Sequence, residues 1–232
     1  MKKLILIGLF ICISYAANAQ VSTYLEKGQT GIGLQAFAEK GYKLEGYGAK
    51  LCGTMKGIVD IEVIAAHDIY DKDINHLISG NTAQFYNAKA TWWLYRSTIV
   101  SGIEANVGIS GGFMTATYKD FKFNNTETNQ PEEYTSFAEG TFGLETSINI
   151  QLSKTWFFQP QYSVYAEAGN DEGIRNNKAY TESYTGLTTN IGAAIFKRIP
   201  NCGTAYFDID QFSDTFDSDC LYYISLGYIH SF

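Results

Sequence analysis

The sequence predicts an all-β protein, a closed antiparallel up-and-down barrel of about ten strands that crosses a membrane. Three observations predict it. Segment after segment alternates apolar and polar residues with period two, as strands do when their faces see unlike surroundings. The connections alternate between tight turns and longer polar stretches. Beyond the first residues, no run approaches the roughly eighteen apolar residues of a membrane-spanning helix. Only 3 Pro among 232 residues, with aromatics at 15%, suits a folded, strand-rich chain better than a disordered one.

Residues 1–19 read as a secretory signal peptide. Lys2 and Lys3 give a positive start, Leu4 to Ile13 an apolar run, and Ala17-Asn18-Ala19 a small-residue cleavage site. The run is too short to span a bilayer as a helix, which needs about twenty residues. Residues 20–232 then make one barrel domain, a size that all-β chains reach as a single unit. Losing Lys2 and Lys3 takes the net charge from −7 to −9, which argues against a nucleic-acid partner. Cys52, Cys202 and Cys220 remain in the exported chain. No disulfide is expected, because a hairpin puts Cys202 and Cys220 at opposite ends of neighbouring strands.

The expected strands run Thr30–Glu39, Tyr42–Met55, Ile58–Tyr70, Thr82–Tyr95, Thr98–Tyr118, Ser136–Leu152, Thr155–Ala168, Tyr184–Ile199, Cys202–Gln211 and Cys220–Phe232. Tight turns are expected at Lys56-Gly57, Arg96-Ser97, near Lys154 and at Pro200-Asn201. Longer loops are expected at 71–81, 119–134, 169–183 and 213–219. Eight strands remain possible if the Gly-rich first pair is misread. Pro160 cannot donate to a ladder, so a bulge is expected there.

Alternation alone does not say which face is outside. A soluble carrier with an apolar interior gives the same pattern with the assignment reversed. Strand length, Tyr and Trp near strand ends (Tyr47, Trp92, Trp156, Tyr222, Tyr228) and a polar register rich in small residues favour lipid on the apolar side. The lumen then holds Asp60, Glu62, Asp68, Glu104, Glu139, Glu145, Glu167, Asp208 and Asp210 against Lys50 and Lys89. Lys89 is expected opposite Glu104, and Lys50 near Glu62, as mutually satisfying pairs. If water threads the barrel, the acidic excess favours cations.

No enzyme is indicated. His and Cys have no metal-ligand spacing, and no phosphate-cradling loop or cofactor motif occurs. His67-Asp68 and the Asp208/Asp210 pair are similar to the rim carboxylates and histidine of the omptin proteases, but His67 falls in the outward register. His230 and Ser231 point to opposite faces, so no Ser-His-acid arrangement forms.

The final strand reads Tyr222, Ile224, Leu226, Tyr228, His230 and Phe232 in one register. With the leader and the strand rhythm, it resembles the terminal strand of bacterial outer-membrane β-barrel proteins of the porin-like and OmpA-type superfamily. Ile224, Leu226, Tyr228 and Phe232 fit that assembly signal; His230 stands where an aromatic is more usual. The resemblance implies a cell outer-membrane location, with lipid and the barrel-assembly machinery as partners and no cofactor. It implies a structural or porin-like protein with a narrow acidic lumen. The alternative is a surface adhesin acting through 71–81, 119–134 and 169–183. A soluble periplasmic carrier and an omptin-like protease are further alternatives.

Overall fold

The computed structural model describes residues 25–41, 44–71, 77–79, 82–125, 130–214 and 220–232; the expected leader lies outside them. Its strands are β1 (Gly31–Gly41), β2 (Leu44–Met55), β3 (Val59–Tyr70), β4 (Leu77–Ser79), β5 (Thr82–Val100), β6 (Ile103–Asn125), β7 (Gln130–Gln151), β8 (Trp156–Arg175), β9 (Lys178–Ile199), β10 (Gly203–Asp214) and β11 (Cys220–Ser231). All but β4 form one ring, each strand antiparallel to its neighbours, with β1–β11 and β6–β7 completing it. The seam pairs Gly31 with Ser231 and continues in register to Lys40 with Tyr222. No backbone edge is therefore left open along the wall, as hydrocarbon requires.

The two registers separate cleanly. Leu34, Leu51, Val63, Trp92, Phe142, Leu144, Ile191 and Leu226 are exposed on the outside, while Gln35, Lys50, Glu62, Glu145, Gln161 and Asp208 are buried inside. Tyr47, Trp92, Trp156, Tyr222 and Tyr228 all lie on the outer surface. An exposed apolar belt outside, with buried carboxylates and lysines inside, is the reverse of a soluble carrier.

Several connections differ from the sequence expectation. The first, expected at 40–41, moves to 42–43, since Gly41 pairs with Leu44. The stretches 119–134 and 169–183, expected as loops, are continuations of β6–β7 and β8–β9. Asn125 pairs with Gln130, and Arg175 with Lys178 across Asn176 and Asn177, both at positive φ as a tight two-residue turn requires. The outward faces of these hairpins stand in water, so they lack the outward apolar register that marks a lipid-facing strand, while Phe121, Phe123 and Tyr134 turn inward. Arg96-Ser97 is not a turn. A shift between Trp93 and Tyr95 puts Leu94 and Tyr95 outside and Arg96 inside, and β5 turns at Ser101-Gly102, where Gly102 has φ 82°. The register follows the turn, so Lys89 faces Gly112 and Glu104 faces Thr98; the expected Lys89–Glu104 pair does not form.

Pro160 makes no bulge. It pairs with Ala193 in unbroken β8–β9 register, and the β7–β8 ladder skips from Ser147–Gln161 to Ile150–Phe158 without changing register. A missing N–H thus costs ladder bonds on one side only. β1 and β2 pair along their full lengths, which removes the eight-strand reading.

Outward position sets the energetic cost of charge. Leu144→Arg, in the middle of the apolar belt, is expected to destabilise the barrel in lipid vesicles by about 2–4 kcal/mol. Thr181→Arg, above the belt, is expected to change it by less than about 1 kcal/mol. Urea titrations followed by tryptophan fluorescence check both.

Candidate functional site

The inward side chains stack in three levels. At the end carrying connections 56–58, 101–102, 152–155 and 200–202 and the seam's Gly31–Ser231 pair (the proximal end), Leu25, Cys52, Phe157, Ala194, Phe196, Tyr206 and Ile229 form an apolar cluster. Arg96 ties the segment before β1 into this mouth. Its guanidinium donates to the Leu25 and Gly57 carbonyls, each at 2.9 Å, and to Glu104 Oε1 at 2.8 Å. Arg198 lies over the Phe157 ring at 4.1 Å.

The middle level is polar. Lys89 donates to Glu145 Oε1 at 2.8 Å and lies 3.7 Å from Glu62 Oε2; Lys50 reaches Glu62 Oε1 at 3.5 Å. Tyr165 donates its hydroxyl to Glu145 at 2.9 Å, and Trp93 its Nε1–H to Asp60 at 2.7 Å. Gln161 donates to both Asp208 and Asp210, Gln35 to Ser225, and Tyr206 to Gln35. Asp68 and Glu167 are buried on the same inner surface, and Glu139 accepts from Tyr184 at 2.7 Å.

The distal level is aromatic. Phe37, Phe85, Tyr118, Phe121, Phe123, Tyr134, Phe137 and Tyr223 pack with Leu44, Ile64, Tyr70 and Leu221 across the barrel. Ring contacts run from Phe123–Tyr134 (5.1 Å, stacked) through Tyr118–Phe121 (5.3 Å) to Phe37–Tyr223 (4.6 Å). Inward glycines make room for this filling. A Cβ at Gly48 would collide with the Phe37 ring, and one at Gly227 with the Tyr206 ring.

A ring of strands sealed by main-chain bonds, with its greasy belt outside and its buried charges inside, admits one solvent for its wall. The fold is a transmembrane β-barrel.

Above its belt, this barrel carries the extended β6–β7 and β8–β9 hairpins. Outward residues turn polar at Asn170 and Glu172 in β8 and at Thr185, Ser183 and Thr181 in β9. Arg175 is the knot of this region. It takes Glu132 through two nitrogens (2.7 and 3.2 Å), Glu182 at 3.0 Å, and covers the Tyr180 ring at 4.5 Å. Asp171, buried beside Phe137's strand, is pushed up to about 7, first by burial and then by Glu182.

Of the residues singled out from sequence, Lys50, Asp60, Glu62, Lys89, Glu139, Glu145, Glu167, Asp208 and Asp210 are buried inside, and Glu104 stands partly exposed near the proximal mouth. Ile224, Leu226 and Tyr228 face outward on the seam strand, and Phe232 follows it with its N–H on the Thr30 carbonyl at 3.0 Å. His67 lies on the outer surface, its ring 5.5 Å from Tyr47, on the opposite face from Asp208 and Asp210. Among the described residues, no group of three His, Cys, Asp or Glu could hold a metal ion. Sequence reasoning missed Arg96, hidden by an assumed turn. It missed the aromatic level too, although Phe37 and Tyr223 sit in the inward register at the distal ends of their strands.

No protein-family model matches the chain, and neither does any curated protein. Solved structures similar in outline include Ail, the attachment invasion locus protein of Yersinia pestis. It is 10% identical, with 89% of this chain and 100% of that one covered and a TM-score of 0.38. The β domain of the Bordetella autotransporter BrkA is 12% identical (88% and 99% covered, TM-score 0.44). The COG4313 outer membrane channel from Pseudomonas putida F1 is 9% identical (93% and 100% covered, TM-score 0.42). Likeness at this level carries no functional argument.

Two outcomes follow from the lumen and the hairpins. Lys89→Met leaves Glu145 and Glu62 without their shared cation, a change expected to cost about 3–5 kcal/mol; Lys89→Met with Glu145→Gln restores much of it, read from urea midpoints. Asp171 binds its proton more tightly folded than unfolded, so its contribution to hairpin stability is full below about pH 4 and lost as pH rises through about 7. Amide exchange at the β8–β9 tip should therefore quicken from pH 4 to 8 beyond its intrinsic rate, and Asp171→Asn should flatten that rise.

Proposed function

We propose that the protein is an integral outer-membrane barrel with a filled, non-conducting interior, serving as a rigid stand for two surface hairpins that meet a ligand. The observation that carries this reading is the burial of inward side chains at every height. Phe196 is 0% exposed proximally, Glu145 0% in the middle and Phe137 1% distally. Water threading a pore would leave such residues wet. The inward carboxylates and lysines act here as structural filling, because buried charges persist only when paired and hydrogen-bonded.

Orientation follows from which end the hairpins overrun. In an up-and-down membrane barrel the long excursions lie outside the cell and the short ones face the periplasm, and here β6–β7 and β8–β9 overrun the other strands at the distal end. In that orientation the distal aromatic level and the β6–β9 hairpins lie at the surface, where elements held on a rigid scaffold usually carry recognition. The outward Ile224, Leu226 and Tyr228 suit recognition of β11 by the assembly machinery.

Two measurements test the proposal. Purified protein in planar bilayers is expected to show no conductance steps; steady cation-selective steps would restore the porin-like reading. Replacing 172–181 by a short Gly-Ser turn should abolish binding to host cells or matrix while leaving heat-modifiable migration of the folded barrel intact. Unchanged binding would remove the hairpins from the function.

A further inference from the structure

Near the proximal end, one lysine stands in the lipid-facing register. Lys197 lies in β9 two residues before its end at Ile199, exposed between outward Ile195 and Ile199. Among the described residues, the other outward lysines of the strands, Lys40, Lys119 and Lys122, are all distal. A lysine on this face is costly within hydrocarbon, so its ammonium settles at the level of the headgroups.

Its neighbours mark that level. Lys197 pairs with Trp156 on one side and Ala205 on the other, and Ala205 pairs in turn with Tyr228. The Lys197 Nζ lies 5.5 Å from the centre of the Trp156 ring. Tyr228 donates its hydroxyl to the Cys202 carbonyl, in connection 200–202, at 3.0 Å. Outward aromatic rings with a polar end turned to the rim belong at the membrane–water boundary. Lys197 and Tyr228, two strands and about 10 Å apart, stand on either side of the small Ala205.

The protein supplies no anion here. Among the described residues, Lys197 Nζ meets no carboxylate and the Trp156 indole N–H no acceptor. Outward Glu45, Glu133 and Glu172 stand at the distal end, and Glu26 at the proximal mouth is held by Arg198 at 3.4 Å. Residues 1–24, which precede this mouth in the chain, include no Asp or Glu. An ammonium and a neighbouring N–H, both on the lipid side, therefore lack an acceptor that a lipid phosphate would provide. A zwitterionic headgroup would bring its own ammonium to a place without a carboxylate; an anionic headgroup would not.

We propose that Lys197 and Trp156, with Tyr228 across Ala205, form a site for one anionic glycerophospholipid in the leaflet at the proximal end. Its phosphate accepts from the Lys197 ammonium and the Trp156 indole, and its acyl chains run along outward Phe207 and Ile209. The site rests on the lipid-facing outer surface and is independent of the surface-hairpin reading.

The test uses the full chain with Trp92→Phe, in phosphatidylcholine vesicles that carry a rising share of one brominated lipid. Trp156 is then the lipid-facing tryptophan, since Trp93 is buried inside. Brominated phosphatidylglycerol is expected to quench Trp156 with a relative association constant about fivefold that of brominated phosphatidylcholine, the order of one lysine's attraction for an anionic lipid. Lys197→Gln should return that ratio to about one, and brominated phosphatidylethanolamine should stay near phosphatidylcholine in both proteins. A Trp156→Phe chain, which reports from Trp92, should show no preference. Equal constants for phosphatidylglycerol and phosphatidylcholine would overturn the site, as would a preference that survives Lys197→Gln or appears equally at Trp92. Phosphatidylethanolamine binding as well as phosphatidylglycerol would overturn the anionic selectivity. Displacement of phosphatidylglycerol by excess inorganic phosphate would make the ligand a free anion and overturn the lipid.

Discussion

Backbone amides in hydrocarbon have no water to fall back on, and the β1–β11 seam is where this chain meets that demand. Gly31 to Lys40 lies against Ser231 to Tyr222 without a break, so every wall strand has two neighbours. Once the cylinder is shut, side-chain direction is no longer negotiable. A one-residue slip anywhere would send Lys50, Glu62 or Glu145 into lipid, at a cost of kcal/mol per charge.

Closure also fixes the volume that the inner register must fill. The chain fills it unevenly: aromatic rings distally, a paired ionic network in the middle, and a smaller apolar cluster held by Arg96 and Leu25 proximally. Gly48 and Gly227 are part of the same solution, since their missing side chains admit the Phe37 and Tyr206 rings. Rigidity of this kind suits a stand better than a conduit. The tall hairpins of β6–β9 draw their order from it, because their lower halves are wall.

What could be read from the sequence was what lipid imposes. Wherever one face met acyl chains, as in Ile32-to-Ala38, Phe142-to-Ile150 and Tyr222-to-Tyr228, period two gave both the strand and its outward side. Where lipid ends, so does the signal. Residues 119–134 and 169–183 stand above the belt with polar outward faces, so no outward apolar register marks them and they read as loops, although Phe121, Phe123 and Tyr134 turn inward. Asn176-Asn177 was the local clue, being suited to left-handed backbone at a two-residue turn. Arg96 failed for a different reason: the register shift between Trp93 and Tyr95 breaks the alternation at the place where turn-like polar residues sit. The wrong turn then carried Lys89 to Glu104 when its partner was Glu145, contributed by a strand further round the barrel. Contacts across the lumen are set by barrel closure, which no local pattern reports.

Adjacent tryptophans offer the sharpest measurement of a lipid-coated, filled cylinder. Trp92 is 54% exposed on the outer belt, whereas Trp93 is 4% exposed and donates to Asp60 inside. In single-tryptophan variants made with phenylalanine at the other two positions, brominated lipids should quench Trp92 strongly, while Trp93 should resist both brominated lipids and aqueous iodide. Quenching of Trp93 by the lipids would reverse the faces, and quenching by iodide would mean an open, watery interior.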